Sequence, residues 1–164
     1  MSGRAAFITG GSKGIGKACA RALAEAGCDV AIAARDLASL EKARQEIEAA
    51  TGRQCVTCSG DFRQAADVQR CVDGAAGALG RLDIVVNCAG AAPPGGIQEL
   101  TDDQWQLALE LKLLGYIRCI RAALPHLKRA GGGRIINVAG TAGPQPDPFL
   151  LSASVVNAAV LSLT

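Results

Sequence analysis

Apolar and polar positions along the chain follow two alternating rhythms. Short, nearly continuous apolar runs of strand length recur, and between them apolar residues return every three to four positions. The first run is Arg4 to Thr9. Apolar spacing at Ile15, Ala18, Ala22, Leu23 and Ala26 then predicts a helix, with Gly27 placed to end it. A second strand is expected over Asp29 to Ala34. Asp36 stands where a helix cap belongs, ahead of Leu37, Leu40, Ala43 and Ile47, and Gly52 closes that helix. Gln54 to Ser59 reads as a third strand, Ala65 to Leu79 as a helix weakened by Gly74 and Gly77, and Leu82 to Asn87 as a fourth strand. The fourth run is apolar without alternation, as suits a central parallel strand covered on both faces. Thr101 and Gln104 have capping-box spacing and open a helix expected to continue to about Ala130, with Pro125 bending or breaking it. Arg134 to Val138 is a fifth strand, and Ser152 to Thr164 a last helix.

Five strands alternating with helices imply right-handed crossovers and a parallel sheet. The expected fold class is therefore α/β, a parallel sheet with helices on both faces. The chain has 164 residues, about one domain's length, and no linker or repeat divides it. Residues 1–164 are read as a single domain.

Charge and composition narrow the function. Net charge is +2 and aromatic residues make up 3% of the chain. Neither a basic stripe nor a stock of stacking rings points to nucleic acid. No apolar run reaches bilayer length, and a strand begins too early for a secretory leader. The chain reads as soluble and cytoplasmic, with no nucleic-acid or membrane partner. Seven cysteines are scattered through predicted helices and strands, as small core residues are in a reducing compartment. Cys55 and Cys58 form a CxxC, but positions i and i+3 of a strand face opposite ways. No metal site is expected.

The chemistry-bearing stretch is Thr9-Gly10-Gly11-Ser12-Lys13-Gly14-Ile15-Gly16, between the first strand and the first helix. Gly10 and Gly14 allow a tight turn and close approach of backbone to a pyrophosphate. Gly16 lets the helix pack close to the strand, and free N–H groups at the helix start face the anion.

The spacing T-G-x-x-x-G-x-G resembles that of the short-chain dehydrogenase/reductase family. Asn87-Cys88-Ala89-Gly90 resembles the family's N-N-A-G after strand four, with Cys88 in place of the second asparagine. Asp61, followed by Phe62, stands after strand three, where the family has an aspartate that contacts adenine. The resemblance runs from Phe7 to the last residue. It implies a Rossmann-type doubly wound sheet in strand order 3-2-1-4-5 and, over residues 1–164, a single dinucleotide-binding domain that is incomplete relative to the family. It implies a nicotinamide dinucleotide held by Thr9, Gly10, Ser12, Lys13, Gly14, Ile15, Gly16, Arg35, Asp61, Phe62, Asn87, Ala89 and Gly90. It also implies hydride transfer between that cofactor and a carbonyl or alcohol substrate. NADP(H) is expected over NAD(H). The acid that ends strand two in NAD-binding members is Ala34 here, Arg35 follows it, and Lys13 resembles the second basic residue of NADP-preferring members.

The catalytic residues implied by the resemblance do not map simply. The serine after strand five falls on Gly140, and the asparagine of the long helix on Lys112. The tyrosine–lysine pair falls on Ala153 and Asn157 in one alignment and on Leu151 and Val155 in another. The only tyrosine is Tyr116 and the last lysine Lys128, so neither register supplies the pair. Ser154 and Asn157 are candidates among the remaining polar groups. Two readings stand: an oxidoreductase that is atypical or part of a longer product, and a non-catalytic dinucleotide-binding or regulatory module. Family members continue with further strands and helices, which leads us to expect a fragment or a chain that relies on a partner. A homo-oligomer through the 102–130 and 152–164 helices is also expected.

Overall fold

The computed structural model describes all residues from Met1 to Thr164. Five strands, β1 (Ala5–Thr9), β2 (Asp29–Ala34), β3 (Cys55–Ser59), β4 (Ile84–Asn87) and β5 (Arg134–Asn137), form one parallel sheet in the order β3-β2-β1-β4-β5. The expected architecture is observed. Between the strands run α1 (Gly14–Glu25), α2 (Leu37–Thr51), α3 (Ala65–Leu79) and the rod from α4 (Asp102–Ala108) to α5 (Gly115–Arg129), and α6 (Leu151–Leu163) follows β5.

Neighbouring residues of the central strands feed opposite layers. Phe7, Ala31 and Val85 join Val72, Cys119 and Leu127 on the α3–α5 side. Ile8, Val30, Ile32 and Val86 join Leu40 and Ile47 on the α1–α2 side. This two-sided burial is why the strands read as apolar runs without alternation. Cys55 and Cys58 fall into different layers, and all seven cysteines are free thiols. Burial pushes Cys55 up to about 12 and Cys58 up to about 11, so both are inert as thiolates. No helix is long and apolar enough to cross a membrane.

Local signals act as their chemistry dictates. Ser39 N–H donates to Asp36 Oδ1 at 2.6 Å and Gly52 takes a left-handed conformation, which caps α2 at both ends. Thr101 and Gln104 form a reciprocal capping box. The long helix departs from expectation. Its deformation is a π-helical stretch at Leu109–Leu114, whereas α5 runs on through Pro125 to Arg129. Pro125 and its neighbour Leu124 face solvent, where a helix tolerates lengthened or missing bonds by curving around the core.

The entry to the sheet is fixed by Asp83, 7% exposed, which accepts the Ala5 N–H at 2.9 Å and is forked by Arg81 at 2.8 and 2.6 Å. Burial opposes its ionisation, but the bonds from Arg81 and Ala5 outweigh burial and hold the carboxyl below its ordinary value. A depressed carboxyl stabilises the fold above the unfolded pKa of about 3.9, and that contribution is lost as pH falls through the folded value. Asp83→Asn is expected to cost about 1–3 kcal/mol at pH 7 by urea denaturation, with the gap to wild type narrowing below about pH 4.

Candidate functional site

At the C-terminal ends of β1, β2 and β4 the crossovers diverge to opposite faces and leave a cavity of about 520 Å³. This is the switch point at which open α/β sheets bind ligands. Gly10, Ser12, Lys13, Ile15, Gly16, Arg35, Phe62, Ala89 and Gly90 line it. Thr9, Gly14, Asp61 and Asn87 do not. Sequence reasoning missed Ser39, Gly60, Ala91 and Leu111, which also line it. Ser39 and Gly60 could have been found as the residues following the tips of β2 and β3. Leu111 had no signal, because the π-helical stretch sets where it points.

The glycine loop is held by close backbone approaches. Gly10 has φ 69°, and a Cβ there would lie 3.1 Å from Ala89. A Cβ on Gly16 would overlap the Gly10 carbonyl oxygen. The α1 N-terminus that results has no side-chain cap and no acid in its first turn. Its first N–H groups therefore lack intrahelical acceptors and carry the positive end of the helix dipole. These features fit the diphosphate of a dinucleotide. Thr9 Oγ1 accepts from Cys88 N–H at 2.9 Å and Ala89 N–H at 3.0 Å, so Thr9 shapes the wall from beneath.

Two cations and one carboxylate stand at the β2 end. The ion pairs of the structure leave Lys13 and Arg35 free. Asp36 lines the same region, but its carboxylate is committed to Ser39, whose hydrogen bonds hold it below the usual range. Asp61 at the β3 tip is grasped by Arg63, with Nη2 2.6 Å from Oδ2, and those bonds hold its carboxyl low. Phe62 stacks on Phe7, ring centroids 6.3 Å apart.

Beyond β4, polar groups are tied to one another. Asn87 Nδ2 donates to Asn137 Oδ1 at 2.9 Å, and Asn137 Nδ2 donates to Thr164 Oγ1 at 3.0 Å. Asn87 Oδ1 is buried without a partner. Asn157 Oδ1 accepts from Gly140 N–H at 2.7 Å, and its Nδ2 donates to Ala153 O at 2.8 Å. Ser154 Oγ accepts from Asp147 N–H at 3.0 Å and donates toward Leu150 O at 3.0 Å. Both side chains are buried. Tyr116 is buried too, donating to Val138 O at 3.1 Å, and burial, with Cys88 and Cys119 nearby, drives its phenol well above the ordinary range. Lys112 lays its stem over Gly90, where an added Cβ would meet its Cδ at 3.2 Å. Burial pushes its ammonium below the usual lysine range.

The sequence profile of the family described as short chain dehydrogenase matches residues 4–164. The chain belongs to the short-chain dehydrogenase family. L-fucose dehydrogenase of Mus musculus is 35% identical over 99% of this chain and 58% of its own length. L-sorbose reductase from Gluconobacter frateurii, solved with NADPH and L-sorbose, superposes with a TM-score of 0.95 at 31% identity, over 99% of this chain and 62% of that one. NAD+-bound xylitol dehydrogenase superposes with a TM-score of 0.95 at 26% identity, over 99% and 63%. The chain thus spans less than two thirds of each relative's length.

Gly16→Ala in this short-chain dehydrogenase family member is expected to destabilise by about 2 kcal/mol or more, because overpacking against backbone has nowhere to relax. A lowered midpoint in thermal unfolding checks this, and an unchanged midpoint would show that the loop adapts.

Proposed function

We propose that residues 1–164 form the dinucleotide-binding domain of an oxidoreductase that binds NADP(H) in preference to NAD(H) and acts on a carbonyl or alcohol substrate. The observation that carries the reading is the pairing of an uncapped α1 N-terminus with two free cations, Lys13 and Arg35, in one cavity. The backbone N–H groups of the glycine loop hold the diphosphate. Lys13 and Arg35 meet the ribose 2′-phosphate with charge-assisted hydrogen bonds. Asp36 accepts the Ser39 N–H through Oδ1 as the cap of α2, and we read that as its main role. The complexes of relatives with NADPH and with NAD+ support a nicotinamide cofactor in general, and the two cations argue for the phosphorylated form. When bound, such a cofactor supplies hydride exchange with a carbonyl or alcohol carbon.

Asn157 and Ser154, first considered for catalysis, are assigned here a positioning role. Asn157 ties α6 to the Gly140 turn, and Ser154 ties it to Asp147. Together they fix α6 against the loop that follows β5.

Calorimetric titration with NADPH and NADH tests the reading, with tighter binding of NADPH expected. Arg35→Ala should weaken NADPH by about tenfold or more, the loss of a hydrogen bond to a charged group, and leave NADH within about twofold, since that ligand has no 2′-phosphate to lose. Equal binding of both cofactors, with Arg35→Ala acting on each alike, would overturn the preference. Binding of neither would overturn the function.

A further inference from the structure

Next to the cavity, though not lining it, stands a further cation that the 2′-phosphate does not use. Lys112 sits in the π-helical stretch beside the β4 end of the crevice, whereas Arg35 follows β2, on the other side of β1. The Lys112 stem crosses Gly90, and Gly90, Ala89 and Cys88 form the cavity wall at the β4 end. A dinucleotide bound at a switch point spans the crevice. A cofactor with its diphosphate at the α1 tip and its adenosine half toward Arg35 would turn its nicotinamide half toward the β4 wall.

The Lys112 charge is uncompensated. None of the ion pairs includes it. Glu110, the acid of the same stretch, is taken by Arg118 at 2.7 Å. The neighbouring Cys88 thiol is kept protonated, since burial raises its pKa. An unpaired, half-buried ammonium acts on other charges across a partly desolvated medium, where Coulomb forces exceed those in bulk water.

The two redox forms of a nicotinamide differ by one positive charge: the oxidised ring is a cation and the reduced ring is neutral. We infer that Lys112 makes the site discriminate between redox states, admitting the reduced cofactor and disfavouring the oxidised one by charge repulsion. This inference rests on the nicotinamide reading above. Its consequence is a site that loads reduced cofactor from a mixed pool and releases the oxidised form readily. The phosphates are common to both forms, so their contacts with Lys13, Arg35 and the α1 tip cancel in the comparison.

The test needs no substrate and no turnover. The 164-residue chain is titrated calorimetrically with NADPH and with NADP+ at pH 7 and fixed low salt, as wild type, Lys112→Met and Lys112→Arg. Wild type should bind NADPH more tightly, and Lys112→Met should move the ratio of the two dissociation constants toward the oxidised form by about tenfold, the scale of one charge pair at several ångströms near a protein surface. Lys112→Arg should keep the wild-type ratio, and NADPH itself should bind Lys112→Met within about twofold of wild type. An unchanged ratio in Lys112→Met overturns the assignment while leaving the cofactor reading intact. Failure of wild type to bind either form overturns both. Should Lys112→Met not fold, the wild-type ratio is measured from about 0.05 to about 0.5 M salt, over which the screening length shortens about threefold. A ratio that falls as salt rises supports the role of charge, and a constant ratio overturns it.

Discussion

Everything that makes this sheet a binding site depends on how closely β1 and β4 are drawn together at their C-terminal ends. Thr9 receives two backbone N–H groups from the β4 side, and Gly10 packs its Cα against Ala89. A side chain at Gly10 or Gly16 would push the loop off that wall or off the strand. With both bare, the chain turns directly from β1 into α1, and the helix starts at the C-terminal end of the central strand with its N–H groups unspent. The cavity is therefore a by-product of two tight backbone contacts, and the cations that line it are added around a geometry already set.

The layers on either side keep this arrangement rigid. Phe7 and Ile8 lie in opposite cores although they are adjacent in sequence, so a one-residue slip of β1 would put each into the layer packed to fit the other. On the β5 side the restraint is polar. The chain from Asn87 through Asn137 to Thr164 connects β4, β5 and the end of α6, and Asn157 joins α6 to the Gly140 turn. The sheet's outer edge at β5 is less covered, with Ile136 47% exposed.

Much of the fold was legible because each signal was local. Strands buried on both faces carry continuous apolar runs, Asp36 and Gly52 mark the ends of α2, and Thr101 with Gln104 marks the start of α4. The glycine spacing pointed to the α1 tip, because only residues without Cβ fit there. What was not legible depends on tertiary packing. Pro125 suggested a break, yet it lies on a solvent face where the helix absorbs it. The deformation instead lies at Leu109–Leu114, beside the turns it packs against, and no residue type there announces it. That displacement brings Leu111 to the cavity and Lys112 across Gly90. Asn157 and Ser154 looked available from sequence alone, and their backbone partners at Gly140 and Asp147 became visible only in three dimensions.

The central claim is that the unspent N–H groups at the start of α1 grip a diphosphate. Amide chemical shifts followed by NMR during titration with NADPH address it most directly. The account predicts that the largest changes fall on the amides of Lys13 to Gly16, with smaller ones at Ala89 and Gly90 and none in the His126–Asp73 region at the opposite end of the sheet. Saturable binding that left the Lys13–Gly16 amides unmoved would contradict it.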